Sequence, residues 1–190
     1  MERHLGNPVG HHAAHTCGAA LLNPPFDRRC FLQVAVGCFT AAALVPRHAL
    51  AASGKYEAMV LSCIDPRFQD LVCKYTAGRH LTGQYSQFTI AGAAIGVVAP
   101  AFQDWHKTFW DNLGATIQLH SINKVIVINH RDCGAAKIAY GEAAVADRAA
   151  ETKTHRDALA EFRKQLTEHH PQLGVETGLM ALDGKFEVMS

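Results

Sequence analysis

Two short clusters carry the residue types from which metal chemistry is built: Cys63-Ile64-Asp65-Pro66-Arg67 and His130-Arg131-Asp132-Cys133-Gly134. Thiolate and imidazole are ligands that zinc prefers. Cys63, His130 and Cys133 supply three of them and leave a fourth tetrahedral position open. A closed structural site would want a fourth Cys or His close by. Cys73 is the only candidate, and we read it instead as a small core thiol in a helix or loop beyond the first cluster. Alternate residues of an extended chain share a face, which sets Asp65 and Arg67 beside the metal as an ion pair. Arg67 would then fix and ionise the Asp65 carboxylate, leaving one oxygen to accept a hydrogen bond from metal-bound water. Zinc lowers the pKa of such a water to about 7.

Other cysteine chemistries fit less well. A cysteine-dependent phosphatase wants an arginine six residues after its nucleophile, where this chain has Gln69. No C-x-x-C redox pair is present. Either cysteine alone reads most simply as a buried thiol. Both adjoin Asp, Arg and His, and that argues for a site.

The elements that must position these residues alternate between strand and helix. Ala58–Ser62 is a short apolar run leading into Cys63, and Gln87–Ile90 is a second strand closed by the Ala91-Gly92 turn. Trp105, Phe109, Leu113 and Ile117 recur at four-residue spacing and predict the inner stripe of an amphipathic helix. Lys124–Asn129 is β-branched and apolar throughout, as in a strand covered on both faces. Between Cys133 and His170 the chain is Ala-rich and then charged, with Leu159, Phe162 and Leu166 at helical spacing and Pro171 as a stop. Val175–Val188 predicts a hairpin around Asp183-Gly184. This order predicts an α/β fold with a mostly parallel sheet flanked by helices and an antiparallel edge strand at the C-terminus. Chemistry in such sheets gathers at the carboxyl ends of strands, where Cys63 and His130 fall.

The first fifty residues read as an address. Arg28-Arg29 precede an apolar run from Cys30 to Val45, Pro46 breaks it, and Ala49-Leu50-Ala51 has the small-x-small form of a cleavage site. The run is shorter than the ~20 residues that span a bilayer. We therefore expect residues 1–51 to be a cleaved twin-arginine export signal and residues 52–190 to be the zinc domain. The chain would engage the twin-arginine translocation machinery and reach the periplasm, or be otherwise exported. Cys17, Cys30 and Cys38 would leave with the signal. The three remaining cysteines are a poor disulfide framework but suit two metal-bound thiolates. At 190 residues, 48% hydrophobic and 18% charged with a net charge of +1, the chain offers no electrostatic case for nucleic acid or a membrane surface.

The C-x-D-x-R and H-x-x-C-G motifs, as Cys63-Asp65-Arg67 and His130-Cys133-Gly134, resemble the signature of the β-carbonic anhydrases. The likeness runs from about Glu57 to the C-terminus and is strongest toward the compact, archaeal-like branch. It implies zinc on Cys63, His130 and Cys133, a catalytic Asp65–Arg67 dyad, and a homodimer or larger homo-oligomer. The implied reaction is reversible hydration of carbon dioxide to bicarbonate by zinc-bound hydroxide. One departure stands out. The family usually carries Arg-Asn-Ala-Gly where this chain has Thr89-Ile90-Ala91-Gly92, so one wall of the site is less polar. That wall keeps two alternatives open: a carbonyl sulfide or carbon disulfide hydrolase on the same zinc, and a non-catalytic zinc sensor or partner module. A resting state with Asp65 as fourth zinc ligand is open independently of it.

Overall fold

Val125-Ile126-Val127-Ile128 has no polar face, and such a run is stable as a strand only when covered on both sides. The computed structural model describes residues 54–190, and this run lies within β3 (Lys124–His130), buried from Val125 onward. β3 is the middle strand of a five-stranded sheet. The order is β2 (Tyr85–Thr89), β1 (Ala58–Ser62), β3, β4 (Gly174–Met180), β5 (Phe186–Val188). The first four are parallel and β5 runs antiparallel to β4. The expected α/β architecture and C-terminal hairpin are both present. Gly184 takes φ +88° in the turn. The segment read as an export signal, residues 1–51, lies outside the described residues.

Helices connect the strands. α1 (Gln69–Gly78) leads from β1 to β2, and α2 (Ala94–Val98) with α3 (Gln103–His120) carries the chain back past β1 to β3. α4 (Gly134–Tyr140), a 3₁₀ turn and α5 (Arg148–His169) then lead to β4. The chain thus leaves β1 toward one edge and returns on its other side. The carboxyl ends of β1 and β3 flank the place where strand order reverses, where α/β sheets form crevices. Ser62 pairs with Ile128 in register, so Cys63 emerges beside the last residues of β3.

Two apolar layers cover the sheet. Val60, Ile126 and Ile128 face Phe68, Val72, Ile95 and Ala136 on one side. Met59, Leu61, Val125 and Val127 face Phe109, Leu113, Leu159 and Phe162 on the other. Asp147 starts α5 by accepting hydrogen bonds from the N–H groups of Ala149 and Ala150 at 2.8 and 2.9 Å, an N-cap that satisfies two free donors.

Two packing expectations need correction. Trp105 is 38% exposed and stacks on Phe102 instead of entering the core, while Ile117 is half-buried. A four-residue spacing drifts by about 40° per step on a 3.6-residue helix, so the ends of the stripe rotate off the buried line of Phe109, Leu113 and Thr116. Cys73 is exposed, not a core thiol, because α1 turns Val72 and Thr76 inward and Cys73 lies about 100° from that face.

Candidate metal centre

Cys63 follows the last residue of β1, His130 ends β3, and Cys133 sits one residue before α4. All three are buried, at 3%, 1% and 4% exposure, and their ligand atoms lie within 4.8 Å of one another. The two sulfurs are 4.0 Å apart. Two thiolates on one tetrahedral metal at about 2.3 Å each would stand about 3.8 Å apart. His130 Nδ1 lies 2.8 Å from the Arg131 carbonyl. A carbonyl only accepts, so Nδ1 carries the proton and Nε2 keeps its lone pair. That Nε2 is buried without a hydrogen-bond partner among the described residues. An orphaned imidazole nitrogen beside two sulfurs fits a metal ion.

Electrostatics prepare the thiols. The Cys133 thiol, chiefly, holds the Cys63 pKa well below the usual thiol range, with His130 and the N–H groups of Gly92 and Asp65 helping and burial opposing. Cys133, whose proton is shared toward Cys63, is pushed up. Burial works against charge on His130, yet the Cys63 sulfur, the Arg131 carbonyl and Asp65 outweigh it and raise its pKa. A metal must therefore displace a proton from this cluster. The Gly92 N–H donates to Cys63 Sγ at 3.2 Å from a backbone at φ +80°. A side chain there would meet the Cβ atoms of Ile95 and Ala135 at 3.0 and 3.1 Å. Glycine is what lets the backbone reach the sulfur.

Asp65 and Arg67 pair as expected, by a different route. The chain does not stay extended: Phe68 N–H donates to the Asp65 carbonyl at 3.0 Å, closing a turn. Arg67 N–H donates to Asp65 Oδ1 at 2.9 Å, and the guanidinium folds back with Nε on Oδ1 at 3.0 Å and an Nη on Oδ2 at 2.7 Å. This double contact holds the Asp65 carboxyl down at about 2. Oδ2 lies 4.0 Å from His130 Nε2, so the ionised carboxylate faces the donor cluster. Arg67 also reaches Asp132, at 2.7 Å to the carboxylate and 3.1 Å to the carbonyl.

Several supporting residues leave little trace in the sequence. Gln69, which stands where a phosphatase would have its arginine, donates to the carbonyls of Cys63 and Asp65 at 3.1 and 3.3 Å. Asn129 accepts from Ala94 N–H at 3.1 Å and donates to His155 Nδ1 at 3.0 Å, fixing the strand end just before His130. His155 is fully buried, and burial lowers its pKa to about 4. A signal for it exists: His155 is in phase with Leu159, Phe162 and Leu166. Glu151 shares that phase and Asp132 lies within the second motif, but neither position announces its partner, which comes from a distant element.

This fold is that of solved β-carbonic anhydrases. The β-carbonic anhydrase CcaA matches with a TM-score of 0.53 at 13% identity, covering 86% of this chain and 85% of that one. One of two tetrameric β-carbonic anhydrases from Sordaria macrospora matches at 0.50 and 14% identity, covering 85% and 95%. Likeness at such identities is one of fold. Sequence adds more. The model of the family described as "Putative carbonic anhydrase" matches residues 53–176. An "Uncharacterized protein" of Rickettsia bellii is 33% identical over 129 residues, 68% of this chain and 79% of that protein. Protein RC0076 of Rickettsia conorii is 32% identical over 129 residues, covering 68% and 69%. The chain belongs to this carbonic anhydrase family.

Proposed function

We propose that the chain is a zinc enzyme that reversibly hydrates carbon dioxide, with Cys63, His130 and Cys133 as metal ligands and Asp65 with Arg67 as the catalytic pair. The observation that carries this reading is the ionised Asp65 carboxylate, clamped by Arg67 with Oδ2 4.0 Å from a His130 Nε2 that has no hydrogen-bond partner among the described residues. Zinc in that donor set would make a hydroxide nucleophile available near neutral pH. Asp65 Oδ2 would accept a hydrogen bond from that hydroxide and orient it, and Arg67 keeps the carboxylate ionised and in place. A cleft of about 660 Å³ beside Cys133 is lined by Arg67, Arg131, Lys137 and Arg148 together with Asp132, Asp147 and Glu151, cations that would meet an anionic product and carboxylates that would take a departing proton. A less polar cleft of about 380 Å³, lined by Ile64, Phe88, Ile90, Ala91 and Trp105 among others, favours a second substrate reading on the same centre, carbonyl sulfide or carbon disulfide.

The same reading places the chain in a homo-oligomer. Ile64 and Trp105 are exposed apolar residues on that second cleft, and the Sordaria macrospora neighbours are tetrameric. On the strength of Arg28-Arg29 and the apolar run after them, it also places the mature protein in the periplasm by twin-arginine export. The test is stopped-flow carbon dioxide hydration with zinc content measured on the same sample. Zinc near one per chain, fast hydration, and an Asp65→Asn variant that keeps zinc but loses about 100-fold in turnover would support the assignment. Zinc with sulfide release and no hydration would move it to the sulfur substrates, and a chain without zinc would end it.

A further inference from the structure

One peptide unit beside the metal cluster is gripped at both ends. The carbonyl of the Arg131–Asp132 peptide accepts from His130 Nδ1–H at 2.8 Å. The N–H of the same peptide donates to Glu151 Oε1 at 2.5 Å. Glu151 lies in the first turn of α5, and its other oxygen accepts from Arg131 at 3.0 Å. Asp132 sits at φ +56°, a backbone state that costs a residue with a Cβ on the order of 1 kcal/mol. It is held there by Glu151 on one side and by Arg67 on the other.

The C=O and N–H of a peptide are two ends of one dipole. A carboxylate on the N–H draws electron density toward the carbonyl oxygen and strengthens whatever bond that oxygen accepts. Here the bond comes from His130. A firmer hold on Nδ1–H fixes the tautomer and makes Nε2 a better donor, the effect that carboxylates exert on ligand histidines by direct contact.

We propose that Glu151 is a positioning residue for the metal centre, acting on His130 through the Arg131–Asp132 peptide. The inference rests on the metal-site reading above. A simpler role is as counterion to Arg131, which also contacts the half-exposed Glu187 at 3.3 Å. The two roles separate by mutation, because Glu187 touches the guanidinium and is not bonded to the peptide.

The experiment uses the full chain loaded with zinc. Zinc loss to a chelator is timed, and the His130 Nδ1–H and Asp132 amide protons are followed by NMR. Glu151→Gln keeps an acceptor oxygen and removes the charge. It is expected to speed zinc release roughly 10-fold, as loss of outer-shell partners does, and to move the His130 Nδ1–H resonance upfield. Glu187→Gln is expected to leave both within about twofold of wild type. If Glu151→Gln releases zinc like wild type with the resonance unmoved, or Glu187→Gln matches it, the inference is wrong. Should Glu151→Gln not fold, wild type decides: a far-downfield, slowly exchanging Asp132 amide supports the relay, and an ordinary, fast-exchanging one overturns it. A wild type that takes up no zinc overturns the metal-site reading and this inference with it. Unchanged release from a zinc-holding chain overturns this inference alone.

Discussion

Gly92→Ala tests the geometry of the centre from its backbone. The new methyl would lie 3.0 Å from Ile95 Cβ and 3.1 Å from Ala135 Cβ, both in the buried layer beside the site. Neither neighbour can move its Cβ without moving its backbone. Crowding of this kind costs about 1–3 kcal/mol. Holding alanine at φ +80° adds about 1 kcal/mol, for a total of about 2–4 kcal/mol. With a melting shift of about 4 °C per kcal/mol for a domain of this size, the midpoint should fall by roughly 8–16 °C. The displaced backbone should also loosen the N–H contact to Cys63 Sγ and weaken metal retention. The assay is thermal unfolding by circular dichroism, with and without chelator. Gly78→Ala is the control: it ends α1 at an ordinary φ, and its added methyl would have open space around it, with nothing within 4 Å. It should be neutral or stabilise by up to about 1 kcal/mol. A Gly92→Ala protein that melts within about 2 °C of Gly78→Ala would refute the claim that this turn must be glycine.

Three further outcomes are expected. His155 is buried neutral with its pKa lowered to about 4 by burial. The unfolded chain protonates first as pH falls, so its contribution is whole above about 6.5 and drains between about 6.5 and 4, at about 1.4 kcal/mol per pH unit; urea melts of His155→Gln should lose that slope relative to wild type. Asp147→Ala removes the α5 cap and should cost about 1 kcal/mol, read as a shifted urea midpoint with unchanged m. His130→Ala and Cys133→Ala should each abolish stoichiometric zinc binding by elemental analysis, and a variant that keeps one zinc per chain would remove that residue from the ligand set.

The strands and the three donors are legible in the sequence because their signals are local. β3 announces itself by four β-branched residues in a row, and two short motifs bracket the site at strand ends. What the sequence does not convey is phase and distance. Spacing alone puts Trp105 in the core, although the helix carries that position off the buried line. An extended chain would pair Asp65 with Arg67, while the actual pairing uses a turn through Pro66 and Arg67 that the i, i+2 argument ignores. Asn129, His155 and Glu151 support the centre from neighbouring strand and helix. Their roles depend on α5 packing back over β3, a tertiary fact with no local imprint except the apolar phase that His155 and Glu151 share.

The two sulfurs at the centre are 70 residues apart in the chain, and what brings them together is the parallel pairing of β1 with β3. Contacts of such long range are among the last that a folding chain can close, since loop entropy is spent before they return anything. Under the proposed ligand set, metal capture by all three donors would therefore be a late folding event, available only once the middle of the sheet has zipped. A bound ion would then mark a chain whose β1–β3 pairing had been completed, so metal content would report on how far the middle of the sheet had assembled.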